Sequence, residues 1–325
     1  MGFRFNVRRS LGAGLIPGGG GAILKPQDVF ATSLWTGNAT DRTIPTGFKP
    51  DLMWHKQRNN AGSNTLADTQ RGTNVLFTDT TGAESNFGAN AMSSQDTGVG
   101  VISSAAINNS GNSNVLWAWK RAAKFFDIVT WTGDSTSARK IPHGLGVPPG
   151  LIVIKSRTQA VEWPAYHIGT GNTMRFALNT TAAAVASGVF NSAAPTATDF
   201  TINNPGSLTN EAGNTYVAYL FAHDPSADGI VQCGSFTLDA NGQATVTAGW
   251  PTQYVLMKRT NSADAWYIID TARGWGAGAD KGLVANSANA EFSADLGSST
   301  STGFTVANVG NGGDAYIYLA IRAPY

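Results

Sequence analysis

Residues 50–58 read Pro-Asp-Leu-Met-Trp-His-Lys-Gln-Arg, a short apolar run that ends in a lysine and an arginine. The pattern returns at residues 149–157, Pro-Gly-Leu-Ile-Val-Ile-Lys-Ser-Arg, and at Thr252–Arg259, Thr-Gln-Tyr-Val-Leu-Met-Lys-Arg. The three copies lie about 100 residues apart, which indicates an internal repeat. Short apolar runs bounded by turn residues are typical of β-strands.

Further landmarks recur with the same spacing. Glycine-containing turns precede the three copies, at residues 45–48, 142–145 and 247–250. Alternating aromatic runs close the three units, at residues 116–119, 216–219 and 316–319. Asp-x-x-Arg-Gly follows the first and third copies, at 68–72 and 270–274, and is missing from the second. We therefore predict three repeats, and call them the first, second and third repeat: 29–123, 124–224 and 225–325.

Composition and turn signals predict an all-β fold. Only 13% of the 325 residues are charged, and Gly, Ser, Thr, Asn and Ala are abundant, which suits short strands joined by turns. About seven strands in ~95 residues is the size of a β-sandwich, so we expect three tandem, jelly-roll-like β-sandwich domains. The alanine-rich stretch 181–187 is the one place where we expect a helical turn.

Charge and cysteine content exclude several classes of function. A net charge of +1 gives no field for nucleic acid or an anionic membrane, and no stretch is apolar enough for a membrane helix. No apolar core of signal-peptide length follows the basic N-terminus, which favours folding in a cytoplasm. The single cysteine, Cys233, is interpreted as a small buried residue.

The N-terminal residues 1–28 differ from the repeats. They begin with Arg4, Arg8 and Arg9 and continue through Leu15 and Ile16 into four consecutive glycines. The glycines carry too much backbone freedom for regular structure. The segment is either a disordered tail or an arm that becomes ordered on a partner, and its apolar residues favour a docking arm.

The closing strands predict extensive contacts beyond one sandwich. In the third repeat, Tyr316, Tyr318 and Ala320 alternate with Ile317 and its neighbours, so both faces of the strand are apolar. Such a strand needs cover from a neighbouring repeat or from another chain. We therefore expect a homo-oligomer, specifically a trimer.

Candidate chemistry is sparse. The Lys-Arg strand ends are either a binding site for ligand carboxylates or caps for nearby carbonyls, and Asp-x-x-Arg-Gly has the spacing of a structural corner. The histidines show no metal-ligand spacing and no nucleophile motif is present, so we expect no catalytic, cofactor or metal site, although paired carboxylates for glycoside hydrolysis form only in space. Trp163, Tyr166 and Trp275 lie in predicted loops and are weak candidates for stacking on sugars.

The repeat resembles a poorly characterised repeat domain of bacteriophage tail fibres and other virion appendages. The resemblance rests on residues 47–58, on 68–72 and 270–274, and on Gly303–Val306 and 313–322. It covers all three repeats, and the second departs at the Asp-x-x-Arg-Gly step. It implies a non-enzymatic virion structural protein that docks by its arm to other virion proteins and contacts a host-surface glycan or receptor. The alternatives are a capsid decoration protein and a glycan-degrading spike enzyme.

Overall fold

The predicted strands are present, and their arrangement repeats three times. A computed structural model describes residues 23–86, 92–103, 105–203 and 206–325. Strands hold 45% of the residues and helices 4%, which confirms the all-β prediction. Within the described residues, no helix is long and apolar enough to cross a membrane.

The strands of the three repeats follow one another along the chain. The first repeat contains a 3-10 turn (Pro26–Asp28), β1 (Phe30–Thr36), β2 (Arg42–Pro45), β3 (Leu52–Gln57), β4 (Thr65–Asp68), β5 (Asn74–Phe77), β6 (Ser85–Asn86), β7 (Met92–Gln95), β8 (Gly98–Val101), α1 (Ala105–Asn108) and β9 (Ser113–Trp119). The second contains β10 (Phe126–Thr132), β11 (Arg139–Pro142), β12 (Pro149–Ser156), β13 (Pro164–His167), β14 (Gly171–Ala177), β15 (Val185–Ala186), β16 (Asp199–Ile202), a 3-10 turn (Gly206–Leu208) and β17 (Thr215–Ala222). The third contains β18 (Val231–Thr237), β19 (Ala244–Thr247), β20 (Thr252–Arg259), β21 (Trp266–Asp270), a 3-10 turn (Thr271–Arg273), β22 (Asp280–Val284), β23 (Phe292–Ala294), β24 (Ser299–Thr300), β25 (Gly303–Val306) and β26 (Ala315–Arg322).

Each repeat forms one large antiparallel sheet and one small sheet. The large sheets have the orders β1-β9-β3-β4-β5-β6, β10-β17-β12-β13-β14-β15 and β18-β26-β20-β21-β22-β23. The small sheets are β2-β8-β7, β11-β16 and β19-β25-β24. In every large sheet the closing strand lies between the first strand and the strand that ends in lysine and arginine. The three matching strand orders support the repeat predicted from the sequence.

One face of each large sheet packs on the small sheet of the same repeat. In the third repeat Tyr316, Tyr318 and Ala320 on β26 share a buried cluster with Val246 on β19 and Phe304 on β25. The first repeat has an equivalent cluster beneath its own small sheet. This packing of two layers with alternating inward side chains is that of a β-sandwich.

The other faces of the three large sheets meet in a shared interior, which we call the central cluster. Its members on the closing strands are Val115, Trp117, Trp119, Val217, Tyr219, Phe221, Ile317, Leu319 and Ile321. Trp119 is fully buried, and its ring centroid lies 6.0 Å from that of Phe221 and 5.8 Å from that of Tyr254. Side chains of all three repeats therefore touch at one point.

The repeats contact one another in a cycle. The same backbone hydrogen bond recurs at each junction: Glu84 N to Arg157 O (2.9 Å), Ala184 N to Thr260 O (3.1 Å) and Glu291 N to Arg58 O (2.7 Å). We call these the 1–2, 2–3 and 3–1 junctions. Because the contacts have one sense and return to the first repeat, the chain closes into a ring with approximate three-fold symmetry.

The ring explains how the second apolar face of each closing strand is buried. Ile317, Leu319 and Ile321 are at most 1% exposed, and the cover comes from the other repeats of the same chain. The apolar faces thus no longer argue for a homotrimer, which stays an untested prediction. Separate domain boundaries also stay a prediction, since the repeats share the central cluster.

The structure also bears on the predicted helical turn and on the N-terminal arm. The helical turn predicted at 181–187 is wrong: Val185–Ala186 forms β15, which pairs with β14 through Met174 and Arg175. The free edge of β14 lies beside this stretch. Pairing with that edge satisfies more backbone hydrogen-bonding groups than one isolated helical turn would. The arm residues Arg4, Arg8, Arg9, Leu15 and Ile16 lie outside the described residues.

The central cluster can be tested with one leucine. We expect Leu319→Ala to lower the free energy of unfolding by about 3 kcal/mol, because it opens a cavity among side chains of three repeats. Leu34→Ala is the matched control, since Leu34 is 40% exposed on β1 and its loss should cost well under 1 kcal/mol. Urea unfolding followed by tryptophan fluorescence measures both values. Equal costs would contradict a buried central cluster.

Candidate functional site

The strand-end lysines bind backbone carbonyls, and two of them, Lys56 and Lys258, do so across a junction. Lys56 Nζ donates to Gly62 O at 2.7 Å and to Ala288 O of the third repeat at 2.8 Å. Lys258 Nζ donates to Thr181 O of the second repeat at 3.1 Å, and Lys155 Nζ to Gln159 O at 2.9 Å. Burial lowers the pKa of each lysine to about 8. Of the two interpretations of these residues, the structure supports carbonyl capping.

Two of the three strand-end arginines pair with glutamates of the neighbouring repeat, whereas Arg259 pairs with Asp314 of its own repeat. Arg157 binds Glu84 through two nitrogens, each 2.9 Å from an oxygen, and Arg58 binds Glu291 at 2.9 Å in the same forked geometry. Forked arginine–carboxylate pairs fix orientation as well as charge. Sequence reasoning missed both glutamates, although the shared Ala-Glu at 83–84 and 290–291 was a signal for them.

The Asp-x-x-Arg-Gly motif builds a buried corner. Asp68 Oδ1 accepts hydrogen bonds from the backbone of Gln70 and Arg71, while the Arg71 side chain donates to Asp68 Oδ2 at 2.6 Å and to Leu66 O. Asp270 and Arg273 form the same arrangement at 2.7 Å. All four side chains of these two pairs are fully buried. A substrate in solvent cannot reach them, which favours the structural interpretation.

Each corner also binds an aromatic side chain of the next repeat. Tyr219 Oη donates to Asp68 Oδ2 at 2.7 Å across the 1–2 junction, and Trp117 Nε1 donates to Asp270 Oδ2 at 2.9 Å across the 3–1 junction. Burial, opposed by the nearby Arg71 charge, raises the pKa of Tyr219 well above its ordinary value, so the hydroxyl remains a donor. The corner therefore holds two repeats together.

The 2–3 junction lacks the corner aspartate, the aromatic donor and the glutamate found at the other two junctions. His167 stands in place of the aspartate, since it lies opposite Leu151 as Asp68 lies opposite Leu52. Ala184 occupies the place of the glutamates, and Leu319 the place of Trp117 and Tyr219. His167 instead contacts the backbone oxygen of Tyr318 through Nε2 at 3.0 Å. The second repeat thus lacks the acceptor carboxylate of the corner, and the third repeat lacks the aromatic side chain that would donate to it.

Another set of junction contacts corrects the role predicted for Trp163. This residue is fully buried, and its Nε1 donates to Thr80 O of the first repeat at 2.9 Å. Trp266 holds the equivalent place at the 2–3 junction and donates to Ala177 O at 3.1 Å. Trp163 is therefore not available for sugar stacking, because its ring is part of an interface between repeats.

The other two aromatic candidates are buried as well. Tyr166 is 4% exposed and packs on Phe190, and Trp275 is 7% exposed and packs on Phe304 beneath the small sheet of the third repeat. The expectation that they offer exposed rings is wrong. Both rings are buried inside the sandwich of their own repeat. Burial removes a large apolar surface from water, which stabilises the fold. Trp163, Tyr166 and Trp275 do not lie together in one site.

The histidines build no metal site. Among the described residues, no group of three or more His, Cys, Asp or Glu side chains is placed to hold a metal ion. His55 contacts Asn114 Oδ1 at 3.0 Å, and Gly169 N donates to His167 Nδ1 at 3.0 Å. Burial lowers the pKa of His55 and of His167 to about 4. Both are neutral structural groups at neutral pH.

The buried histidines predict sensitivity to acid. Between pH 6.5 and about 4 the unfolded chain binds protons at these positions and the folded protein does not. We expect the free energy of unfolding to fall as pH falls through this window, by roughly 3 kcal/mol per histidine at its lower end. Urea unfolding at pH 7 and pH 4.5 measures the loss. In His167→Gln the loss should be smaller, and an unchanged loss would count against this cause.

The corner hydrogen bonds predict unequal effects of removing two tyrosine hydroxyls. Tyr219→Phe should lower the free energy of unfolding by about 2 kcal/mol, because it removes a hydrogen bond to the buried Asp68 carboxylate. Tyr254→Phe should be neutral or slightly stabilising, because this buried hydroxyl has no partner among the described residues. Both rings lie in the central cluster, so packing is matched. Equal effects in chemical denaturation would show that the corner does not join the repeats.

Comparison with known proteins places the chain in a family. No curated protein matches it. Among solved structures, the STIV MCP is similar at 9% sequence identity over 90% of this chain and 93% of that chain, with a TM-score of 0.18, too low to support any argument. The family described as a domain of unknown function (DUF7483) matches residues 25–323, a span that covers the first two repeats and all but the last two residues of the third. The chain therefore belongs to the DUF7483 family.

Proposed function

We propose that the protein is a structural component of a bacteriophage virion, namely a tail fibre or tailspike-like subunit. Its N-terminal arm docks to other virion proteins, and its three repeats face the host surface and contact a glycan or receptor. The observation that carries the proposal is a closed body of three repeats in which the start of the first repeat, the linkers and Tyr325 lie at one end. The resemblance of the repeat to those of phage appendages agrees with it.

The residues next to the arm and the last residue of the chain lie on one side of the body, which supports attachment through that side. Gln27 Nε2 contacts the backbone oxygen of Tyr325 at 3.5 Å, so the start of the body and the end of the chain are neighbours. Lys120 N, just after β9, donates to Val29 O at 2.8 Å, and Arg322 N donates to Ile230 O at 2.9 Å. Both linkers therefore lie beside the residues from which the arm leaves.

The opposite end supports a contact surface. Each closing strand begins there after a turn with a left-handed glycine, Gly111, Gly213 or Gly313, with φ between 82° and 86°. A side chain contacts two of these turns: Asn59 Nδ2 donates to Gly111 O and Asn261 Nδ2 to Gly313 O. An end of the body opposite to Gln27 and Tyr325 suits a surface that meets a host.

The polar residues support a role without catalysis. The aspartate–arginine corners are sealed from solvent, and the strand-end lysines and arginines are engaged at the junctions or with their own repeat. Their chemistry serves to join the repeats. We therefore propose a binding and structural role, with no reaction assigned.

A capsid decoration protein is a second candidate. A ring with approximate three-fold symmetry fits a local three-fold position on a capsid, with the arm reaching between capsid subunits. Immunogold labelling of particles released from cells that carry the encoding genome separates the candidates: label on the tail supports the first, and label over the head supports the second. Particles without label would overturn both.

The docking arm can be tested by deletion. A chain that begins at Ile23 should keep the free energy of unfolding of the full chain, because Leu24 and Pro26, which pack on the body, are retained. It should fail to enter particles, because residues 1–22 carry apolar side chains whose burial needs a partner. Incorporation is measured by blotting purified particles from cells that express either chain. Equal incorporation would exclude docking by the arm.

A further inference from the structure

A buried histidine joins the second and third repeats, and its hydrogen bonds fix which ring nitrogen carries the proton. Gly169 N donates to His167 Nδ1 at 3.0 Å, so Nδ1 offers a lone pair and holds no proton. The proton of the neutral ring therefore lies on Nε2, which donates to Tyr318 O of the third repeat at 3.0 Å. One nitrogen accepts and the other donates, and both are engaged.

A second proton can enter this ring only at the expense of a hydrogen bond. It would have to bind Nδ1, where it would point at the N–H of Gly169. The charged ring has two donors and no acceptor, so the bond from Gly169 is lost. That bond helps to hold the turn 168–170 after β13, as the bond from Gln70 N to Asp68 Oδ1 holds the corner of the first repeat.

The same turn is part of the contact between the two repeats. A Cβ on Gly169 would lie 3.0 Å from Ile317 Cγ2 and 3.2 Å from Ser235 Cβ, so the turn lies close against β26 and β18 of the third repeat. Ile168 in this turn is 38% exposed, which places the turn at the surface. The turn can therefore move away from the third repeat while the strands on either side stay paired.

The surroundings of His167 do not compensate a positive charge. Across the described part of the chain, no carboxylate lies within ion-pair distance of the ring. The titratable groups on β13, on β18, on β26 and on the linker between the repeats are Tyr166, Cys233, Tyr318, His223 and Asp224. Burial raises the pKa of both tyrosines to about 12 and raises that of Cys233, so all three stay neutral in acid. His223, once charged, repels a charged His167.

The 2–3 junction has fewer contacts than the others to resist such a change. An arginine–glutamate fork joins the repeats at each of the other two junctions, and among the described residues no ion pair crosses this one. Its polar contacts include the bonds from Trp266 Nε1 and Lys258 Nζ to backbone oxygens. Loss of the His167 contact therefore removes a larger share of the polar contacts here than one lost bond would elsewhere.

We propose that protonation of His167 opens the 2–3 junction in acid, while the 1–2 and 3–1 junctions stay closed. The turn 168–170 moves away from β18 and β26, and the linker keeps the two repeats connected. Opening gives water access to Ile317 and Cys233 on the third repeat. The proposal goes beyond the virion function and does not depend on it, because it rests on the contacts of one junction.

The sign of the pH dependence follows from the two states of the junction. When it is closed, burial holds the pKa of His167 at about 4, and when it is open the ring lies in water with its ordinary value of 6.5. The open form therefore binds one more proton between these values. The equilibrium constant for opening should rise up to about tenfold for each unit by which the pH falls from 6.5 to about 4, and should be constant above 6.5.

The single cysteine of the chain can report this opening. Cys233 is 1% exposed, and its Sγ lies 3.8 Å from Ala222 O of the second repeat. A Cβ on Gly150, also in the second repeat, would lie 2.6 Å from Cys233 Cβ. Because the second repeat covers this thiol, opening of the 2–3 junction should make it reactive.

The test is the rate at which 4,4′-dithiodipyridine labels Cys233 in the full-length protein between pH 7.5 and pH 4.5. Each rate is divided by that of N-acetylcysteine at the same pH, which removes the effect of pH on the thiol chemistry itself. The relative rate should rise by roughly tenfold per unit below pH 6.5. Its dependence on urea should be far weaker than that of global unfolding, because a local opening exposes little surface.

Two histidine variants separate this opening from general unfolding in acid. His167→Asn keeps an acceptor for Gly169 N and cannot titrate, so its relative rate should rise by roughly tenfold less than that of the wild type between pH 6.5 and pH 4.5. His55→Gln is the matched control, because burial also lowers the pKa of His55 to about 4, and His55 contacts Asn114 of its own repeat. It should leave the rise unchanged.

Three results would overturn the proposal: a relative rate that does not rise in acid, a rise with the urea dependence of global unfolding, or the same rise in His167→Asn as in the wild type. The first two are measured on the wild-type protein, so they decide the matter even where a variant does not fold. An equal loss of the rise in His55→Gln and His167→Asn would assign it to global unfolding and would also overturn the proposal.

Discussion

A strand that is apolar on both faces has to be covered twice, and three such strands set the architecture of this protein. β9, β17 and β26 each use one face for their own sandwich and the other for the central cluster. No single repeat can supply both layers. Because burial of apolar surface dominates folding, the arrangement that covers all three strands at once is a closed ring. The linkers, the gathered chain ends and the outward position of the small sheets follow from that closure.

The junctions show how the ring is specified as well as stabilised. Buried ion pairs often cost as much as they contribute, so Asp68–Arg71 and Asp270–Arg273 are better explained by geometry than by energy. Each corner offers one acceptor to one donor of the next repeat. The 3–1 junction has no linker across it, and it combines Trp117–Asp270, the Arg58–Glu291 fork and the hydrogen bonds of Lys56. The 2–3 junction has a linker and lacks the corner, whereas the 1–2 junction has both a linker and the Tyr219–Asp68 contact.

Much of the fold was accessible from the sequence, because strand patterns are local. The apolar runs predicted β3, β12 and β20, and the spacing of the landmarks predicted three repeats of the same kind. The junction partners were not accessible: Arg157 and Glu84 lie 73 residues apart, and Arg58 and Glu291 lie 233 apart. Trp163 was misjudged for the same reason. A tryptophan beside a strand gives no local sign of whether water or another repeat lies over its ring, and only the closure of the ring decides this.

The inequality of the three junctions has a consequence for how such a protein diverges. In an assembly of three identical subunits, one codon change alters three sites together, so a substitution tolerated at one position must be tolerated at all three. Fusion into a single gene removes that restriction. Here the aspartate of the corner is present in two repeats, and a histidine stands in its place in the other. A ring made from one chain can therefore differ at one junction while the other two share the same contacts.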